Sequence, residues 1–185
     1  MKKGTLEVIA GCMSSGKSEE LIRRLRRAEI AKLRVALFKP RKDTRTDEST
    51  VASRDGRKYP AMAVADPGEI LDWVDQERFT GVVALDEAQF FAPSILQVAE
   101  GLVDRGLRVI AAGLDTDFRG LPFEPVPQLM AVADSVTKLT AVCVCCGAAA
   151  VRSQIKAAPP EGERIQVGGD ELYEARCRDC HRFPQ

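Results

Sequence analysis

Apolar residues in this chain fall into short, nearly unbroken runs separated by amphipathic stretches. Leu6-Glu7-Val8-Ile9-Ala10, Val35-Ala36-Leu37-Phe38, Val82-Val83-Ala84-Leu85 and Leu107 to Ala112 are the runs. Their pattern predicts strands buried on both faces, as in a parallel sheet. Between them the apolar period changes to that of a helix. Leu21, Ile22, Leu25, Ala28 and Leu33 share one face, as do Ile95, Leu96, Val98, Ala99, Leu102 and Val103 within 93–105. Shorter helices are expected over 67–74 and 127–133, and a last core strand over 135–142. The alternation predicts an α/β fold with a mostly parallel sheet and helices on both faces. Residues 41–60 are polar and aperiodic, which reads as a functional or mobile loop. Arg23, Arg24, Arg26 and Arg27 lie mostly off the apolar face of the first helix, beside Glu19, Glu20 and Glu29, and read as a solvated surface.

The first apolar run ends in Gly11-Cys12-Met13-Ser14-Ser15-Gly16-Lys17-Ser18. This satisfies G-x-x-x-x-G-K-[ST] at every fixed position, between a strand and an amphipathic helix. Gly11 and Gly16 permit backbone angles and close approaches closed to other residues. The loop amides can then face phosphate oxygens at the helix N-terminus. Lys17 can reach the outer phosphates and the Ser18 hydroxyl can bind Mg²⁺. The third run ends in Asp86-Glu87-Ala88-Gln89-Phe90-Phe91. An acidic pair after a strand can be a helix cap. At the C-terminal edge of a P-loop sheet, however, an acid is needed for the Mg²⁺ shell, and Asp86 fits. Glu87 would then adjoin the γ-phosphate and could take a proton from the attacking group. Water as attacker makes an ATPase, a substrate hydroxyl makes a kinase, and the motif alone does not choose.

Composition narrows the chemistry. Lys plus Arg and Asp plus Glu each number 27 in 185 residues, so no basic excess points to nucleic acid. No apolar run reaches the ~18 residues of a membrane span. The first residues carry no apolar leader, so a cytoplasmic protein is expected. His181 is the sole histidine, which leaves general-base work elsewhere to carboxylates. Of six cysteines, Cys143 and Cys146 form one C-x-x-C and Cys177 and Cys180 another. Two such knuckles supply four thiolates to a tetrahedral Zn²⁺. The interval 147–176 exceeds the usual ~15–20 residues, so a loop must leave the site and return. Its prolines and glycines and its lack of a long periodic run read as a mobile segment. Division into a nucleotide-binding unit, 1–142, and a zinc-binding unit, 143–185, follows. Phe90, Phe91, Phe118, Phe123 and Tyr173 stand near the inferred site and would suit a flat acceptor such as a nucleobase.

The P-loop, Phe38-Lys39-Pro40, Lys42-Asp43-Thr44-Arg45, Asp86 to Phe91, Gly113-Leu114-Asp115-Thr116-Asp117-Phe118, Lys138 to Cys143 and both knuckles, in this order, resemble the type II thymidine kinase family. The resemblance covers nearly the whole chain. It implies a RecA-like core with a small zinc-ribbon-like lobe, and transfer of the ATP γ-phosphoryl to the 5′-hydroxyl of thymidine in pyrimidine salvage. It places the catalytic base on Glu87. It places nucleotide and Mg²⁺ contacts on Gly11 to Ser18, Asp86 and Gln89. The substrate contacts fall on Met13, Asp55, Phe90, Leu114, Phe118, Phe123, Val167, Gly168 and Tyr173, with 147–176 as a lasso over the base. It further implies a homotetramer inhibited by dTTP. The chain departs from the family at Cys12, more often Pro or Ser, and at Ser14, more often Phe.

Overall fold

The computed structural model describes residues 3–41, 50–52, 58–157, 168–169 and 171–182. Asp55 and Val167, and most of the centre of the 147–176 segment, lie outside the described residues. The elements are β1 (Thr5–Gly11), α1 (Lys17–Ile30), β2 (Val35–Pro40), β3 (Thr50–Ala52), β4 (Lys58–Pro60), β5 (Met62–Val64), α2 (Gly68–Gln76), β6 (Val82–Leu85), α3 (Ile95–Asp104), β7 (Arg108–Gly113), α4 (Val126–Val132), β8 (Ser135–Leu139), β9 (Ala141–Val142), β10 (Ala149–Ala150), β11 (Arg152–Ile155) and β12 (Tyr173–Arg176).

Six strands form the main sheet in the order β5-β2-β6-β7-β1-β8, every pair parallel. Alternation along the strands divides the core in two. Val8, Ala10, Val83, Leu85, Val109 and Ala111 face α2, α3 and α4, meeting Ile70, Ile95, Leu102 and Leu129. Ile9, Leu37, Ala84, Ile110 and Ala112 face α1 and meet Leu21, Ile22, Leu25 and Ala28. Full burial of each large aliphatic side chain on α1 contributes about 2 kcal/mol, so the helix following Lys17 is firmly seated. All six strands point the same way, and therefore the loops after β1, β6 and β7 emerge at one edge.

The structure departs from the sequence expectations at four places. Leu33 is 45% exposed, because the chain leaves α1 at Ile30 and Lys32 adopts a left-handed φ of 62°. The strand expected over 135–142 breaks at Thr140, and its last two residues turn away to pair antiparallel with β10. The interval 147–176 begins and ends in strands, with β11 antiparallel to β12. Arg24 is not solvated. Its guanidinium spans Glu20 and Glu7 at 2.8 Å each and donates to Thr137 Oγ1 at 2.8 Å.

Glu7 sits on β1 beneath α1 and also accepts Arg108 Nε at 2.6 Å. Burial alone would raise its carboxyl pKa, but bonds from Arg108 and Arg24 outweigh burial and lower it below the usual 4.5. A lowered carboxylate contributes stability that is present above the unfolded pKa and lost as pH falls through the folded value. Glu7→Gln is therefore expected to cost about 2 kcal/mol near neutrality, with the gap to the parent closing below about pH 4. Urea unfolding at pH 7 and pH 3.5 checks this. An equal gap at both pH values would contradict the ionic account.

Candidate active site

The loop after β1 has the backbone its glycines anticipate. Gly16 has φ 84°, and Ser14 is left-handed at φ 64°. A Cβ on Gly11 would lie 2.5 Å from Leu139 O and 2.7 Å from Ser15 Oγ. No larger residue fits there. Lys17 Nζ folds back across the loop and donates to Cys12 O at 2.9 Å. Burial pushes the Lys17 ammonium's pKa down. The Glu87 carboxylate is the foremost charge acting against that, followed by Cys12, Asp86 and Asp115. The loop lysine and the strand-end acids thus occupy one electrostatic neighbourhood.

Asp86 is 6% exposed at the end of β6, its amide bonded to Phe38 O at 2.9 Å. Glu87 follows in the left-handed region, φ 51° and ψ 45°, which is costly for a residue with a Cβ. A short 3₁₀ turn, Ala88–Phe90, closes behind it. Gln89 is 3% exposed, and its side-chain amide is used at both ends. Oε1 accepts Leu114 N–H at 2.9 Å, and Nε2 donates to Glu87 Oε2. The loop after β7 is fixed by its own acid. Asp117 Oδ1 accepts the amides of Arg119 and Leu121. Asp115, also buried, lies 2.6 Å from Lys138 Nζ.

Met13, Leu114, Phe118 and Tyr173 come together with Ile155, and Phe123 and Leu172 pack against them. Five of the nine residues to which the resemblance gives substrate contact are therefore in one apolar cluster beside the P-loop. Phe90 stacks edge-on against Phe123, with ring centroids 6.1 Å apart. Gly168 is buried, and a Cβ on it would meet Leu172 Cδ1 at 2.3 Å. Phe91 is a correction. It packs in the core between the sheet and α3, away from this cluster.

The sequence did not reveal how the C-terminal lobe grips the P-loop. Cys12 is 1% exposed and lies inside the lobe's apolar centre, among Ala141, Cys143, Ala150, Ala175 and Cys177. Its Sγ is 3.3 Å from Ala150 O, and burial pushes its thiol pKa up. The next amide, Met13 N–H, donates to Ser153 Oγ at 3.0 Å. His181 Nε2–H donates to Phe118 O at 2.8 Å, tying the second knuckle to the loop after β7. Strict alternation at Tyr173-Glu174-Ala175-Arg176, buried and half-buried in turn, was the available signal for this packing.

The Sγ atoms of Cys143, Cys146, Cys177 and Cys180 all lie within 4.8 Å of one another. A tetrahedral Zn²⁺ with Zn–S near 2.3 Å sets its sulfurs about 3.8 Å apart, and Cys146 and Cys177 are already at 3.6 Å. The donor set fits zinc. Backbone amides, Cys177's foremost, lower the Cys143 thiol, while hydrogen bonding among the sulfurs raises Cys146 and Cys180. Cys145 stands apart, exposed beside Arg176.

A P-loop, an acid pair at a strand end and an adjoining aromatic cluster, all at one edge of a parallel sheet, give the chain the architecture of a P-loop protein. The thymidine kinase family profile matches residues 4–181. A thymidine kinase from Bdellovibrio bacteriovorus is 53% identical over 176 residues, covering 95% of this chain and 84% of that protein. The chain belongs to the thymidine kinase family.

Proposed function

We propose that the protein transfers the γ-phosphoryl group of ATP to the 5′-hydroxyl of thymidine, with Glu87 as the general base and Lys17 holding the β- and γ-phosphates. Family membership makes it an enzyme of thymidine phosphorylation, and pyrimidine salvage follows from that reaction. The observation that carries the residue assignment is the placement of Glu87, at the strand end beside Asp86 with its carboxylate held by Gln89, as the foremost charge acting on the buried Lys17 ammonium. A carboxylate in that neighbourhood can take the hydroxyl proton while the lysine offsets charge on the transferred group.

On binding, phosphate oxygens take the Lys17 Nζ contact now made to Cys12 O, and the loop amides complete the cradle. Ser18 and Asp86, a hydroxyl and a carboxylate, are hard oxygen donors of the kind Mg²⁺ prefers, and the ion would neutralise phosphate charge there. Phe118, Tyr173, Leu114 and Met13 offer the base a flat apolar seat, and Val167, Gly168 and the rest of the lasso close over it. Closure keeps water from Glu87 and so favours transfer over hydrolysis.

A homotetramer, feedback by dTTP and a cytoplasmic location belong to the same reading. Exposed Val136, Val142 and Val144 along the outer strand β8 and its continuation support self-association. Among the described residues no helix is long and apolar enough to cross a membrane.

A coupled ADP-release assay tests the function. Thymidine is expected to stimulate release strongly, deoxycytidine and deoxyadenosine little, and single-stranded DNA not at all. DNA-stimulated release without nucleoside would instead make this a nucleic-acid-linked ATPase.

A further inference from the structure

Gln89 stands at the acid pair, yet its geometry points inward. The side chain is 3% exposed, and both polar ends of its amide are engaged by protein. The backbone N–H of Leu114 can only donate, so the atom facing it at 2.9 Å is Oε1 and the atom facing Glu87 is the NH₂ group. Space is also reserved for this arrangement. Gly113 ends β7 beside Gln89, and a Cβ there would lie 2.9 Å from Gln89 Oε1 and 2.8 Å from Val126 Cγ2. The carboxylate that Gln89 touches belongs to a residue in a left-handed conformation, φ 51°, which needs surrounding contacts to persist.

We infer that Gln89 is a positioning residue that fixes the Glu87 carboxylate by tying it to the Leu114 amide, and not a direct ligand of the nucleotide. This rests on Glu87 being the base. With the NH₂ group on Oε2, the position and rotation of the Glu87 carboxylate are set by the protein before a substrate hydroxyl arrives. Leu114 belongs to the apolar cluster around Phe118, so the same amide links the base's aim to the seat of the nucleobase. A nucleoside that displaces Leu114 also moves the base.

The test uses Gln89→Met, which keeps length and loses both bonds, and Gln89→Asn, which stays polar but cannot span both partners. Each is expected to lower kcat by about tenfold to a hundredfold, with the Kd for ATP unchanged by calorimetry. The loss should fall on kcat, with the KM for ATP unchanged, because the base is misaimed and the nucleotide is not released. In a Glu87→Gln background, Gln89→Met should have little further effect on kcat. Weakened ATP binding with kcat at saturation unchanged would overturn the inference and make Gln89 a nucleotide ligand. Additive losses in the double variant would also overturn it. Near-normal turnover of Glu87→Gln alone would instead reject the base assignment, a separate failure.

Discussion

Glu87→Gln is expected to lower kcat by about 10²–10⁴-fold while ATP and thymidine still bind. Glutamine keeps the shape of the side chain, so the turn Ala88–Phe90 and the packing of Gln89 persist. What it loses is the capacity to accept a proton. Among the described residues, the nearby acids Asp115 and Asp117 are engaged by Lys138 and by loop amides. The sole histidine, His181, holds Phe118 O on the far knuckle, and Asp86 is buried at the strand end. Lys17→Ala would also be severe, but it removes binding and charge stabilisation together and is less diagnostic. Single-turnover measurement with purified, folded Glu87→Gln isolates the chemical step. Turnover within a few-fold of the parent would remove Glu87 from the role.

Much of this was legible because parallel strands and phosphate loops leave strong local signatures. Buried on both faces, β1, β2, β6 and β7 have to be nearly continuous apolar runs, and they were read as such. Gly16 is required by its φ of 84° and Gly11 by the lack of room for a Cβ beside Leu139 O and Ser15 Oγ, and the motif's spacing located both. The four cysteines likewise announce one another by spacing. What escaped notice depends on contacts between segments far apart. β5 is only Met62–Val64, too short for a periodic signal, and it exists because β2 offers an edge. Strands β11 and β12 are four residues each and stabilise each other across an interval that reads as loop. By its spacing Arg24 is one of four surface arginines, and only the placement of Glu7 and Thr137 on the strands turns it inward. Cys12 is the clearest case. Nothing in the P-loop pattern says that a side chain within it would enter the core of a lobe whose nearest partner is Ala150, 138 positions away.

That contact determines what loss of the metal should do. Cys177→Ser is expected to abolish zinc binding, from about one zinc per chain by elemental analysis to none, because the remaining three sulfurs lose a tetrahedral corner. Structural zinc contributes roughly 10–16 kcal/mol of apparent binding free energy in small zinc-finger peptides, more than a lobe of two-stranded sheets can recover from its own core. Cys143 and Cys177 belong both to the four-cysteine group that could hold the metal and to the cluster that encloses Cys12. Ser153, which receives the Met13 amide, lies on β11 and depends on pairing with β12, whose end is held by Cys177. Loss of the metal therefore loosens the P-loop along with the lasso. The expected signature is weaker affinity for ATP as well as for thymidine, each by about tenfold or more, from the loss of one or two buried contacts worth 1–3 kcal/mol apiece. The main sheet, with its separate cores on each face, should remain folded by far-ultraviolet circular dichroism. A lobe that merely capped the base would raise the KM for thymidine and leave ATP binding untouched, and that result would dismiss the coupling through Cys12 and Ser153. A metal-free preparation with full activity would dismiss the zinc assignment itself.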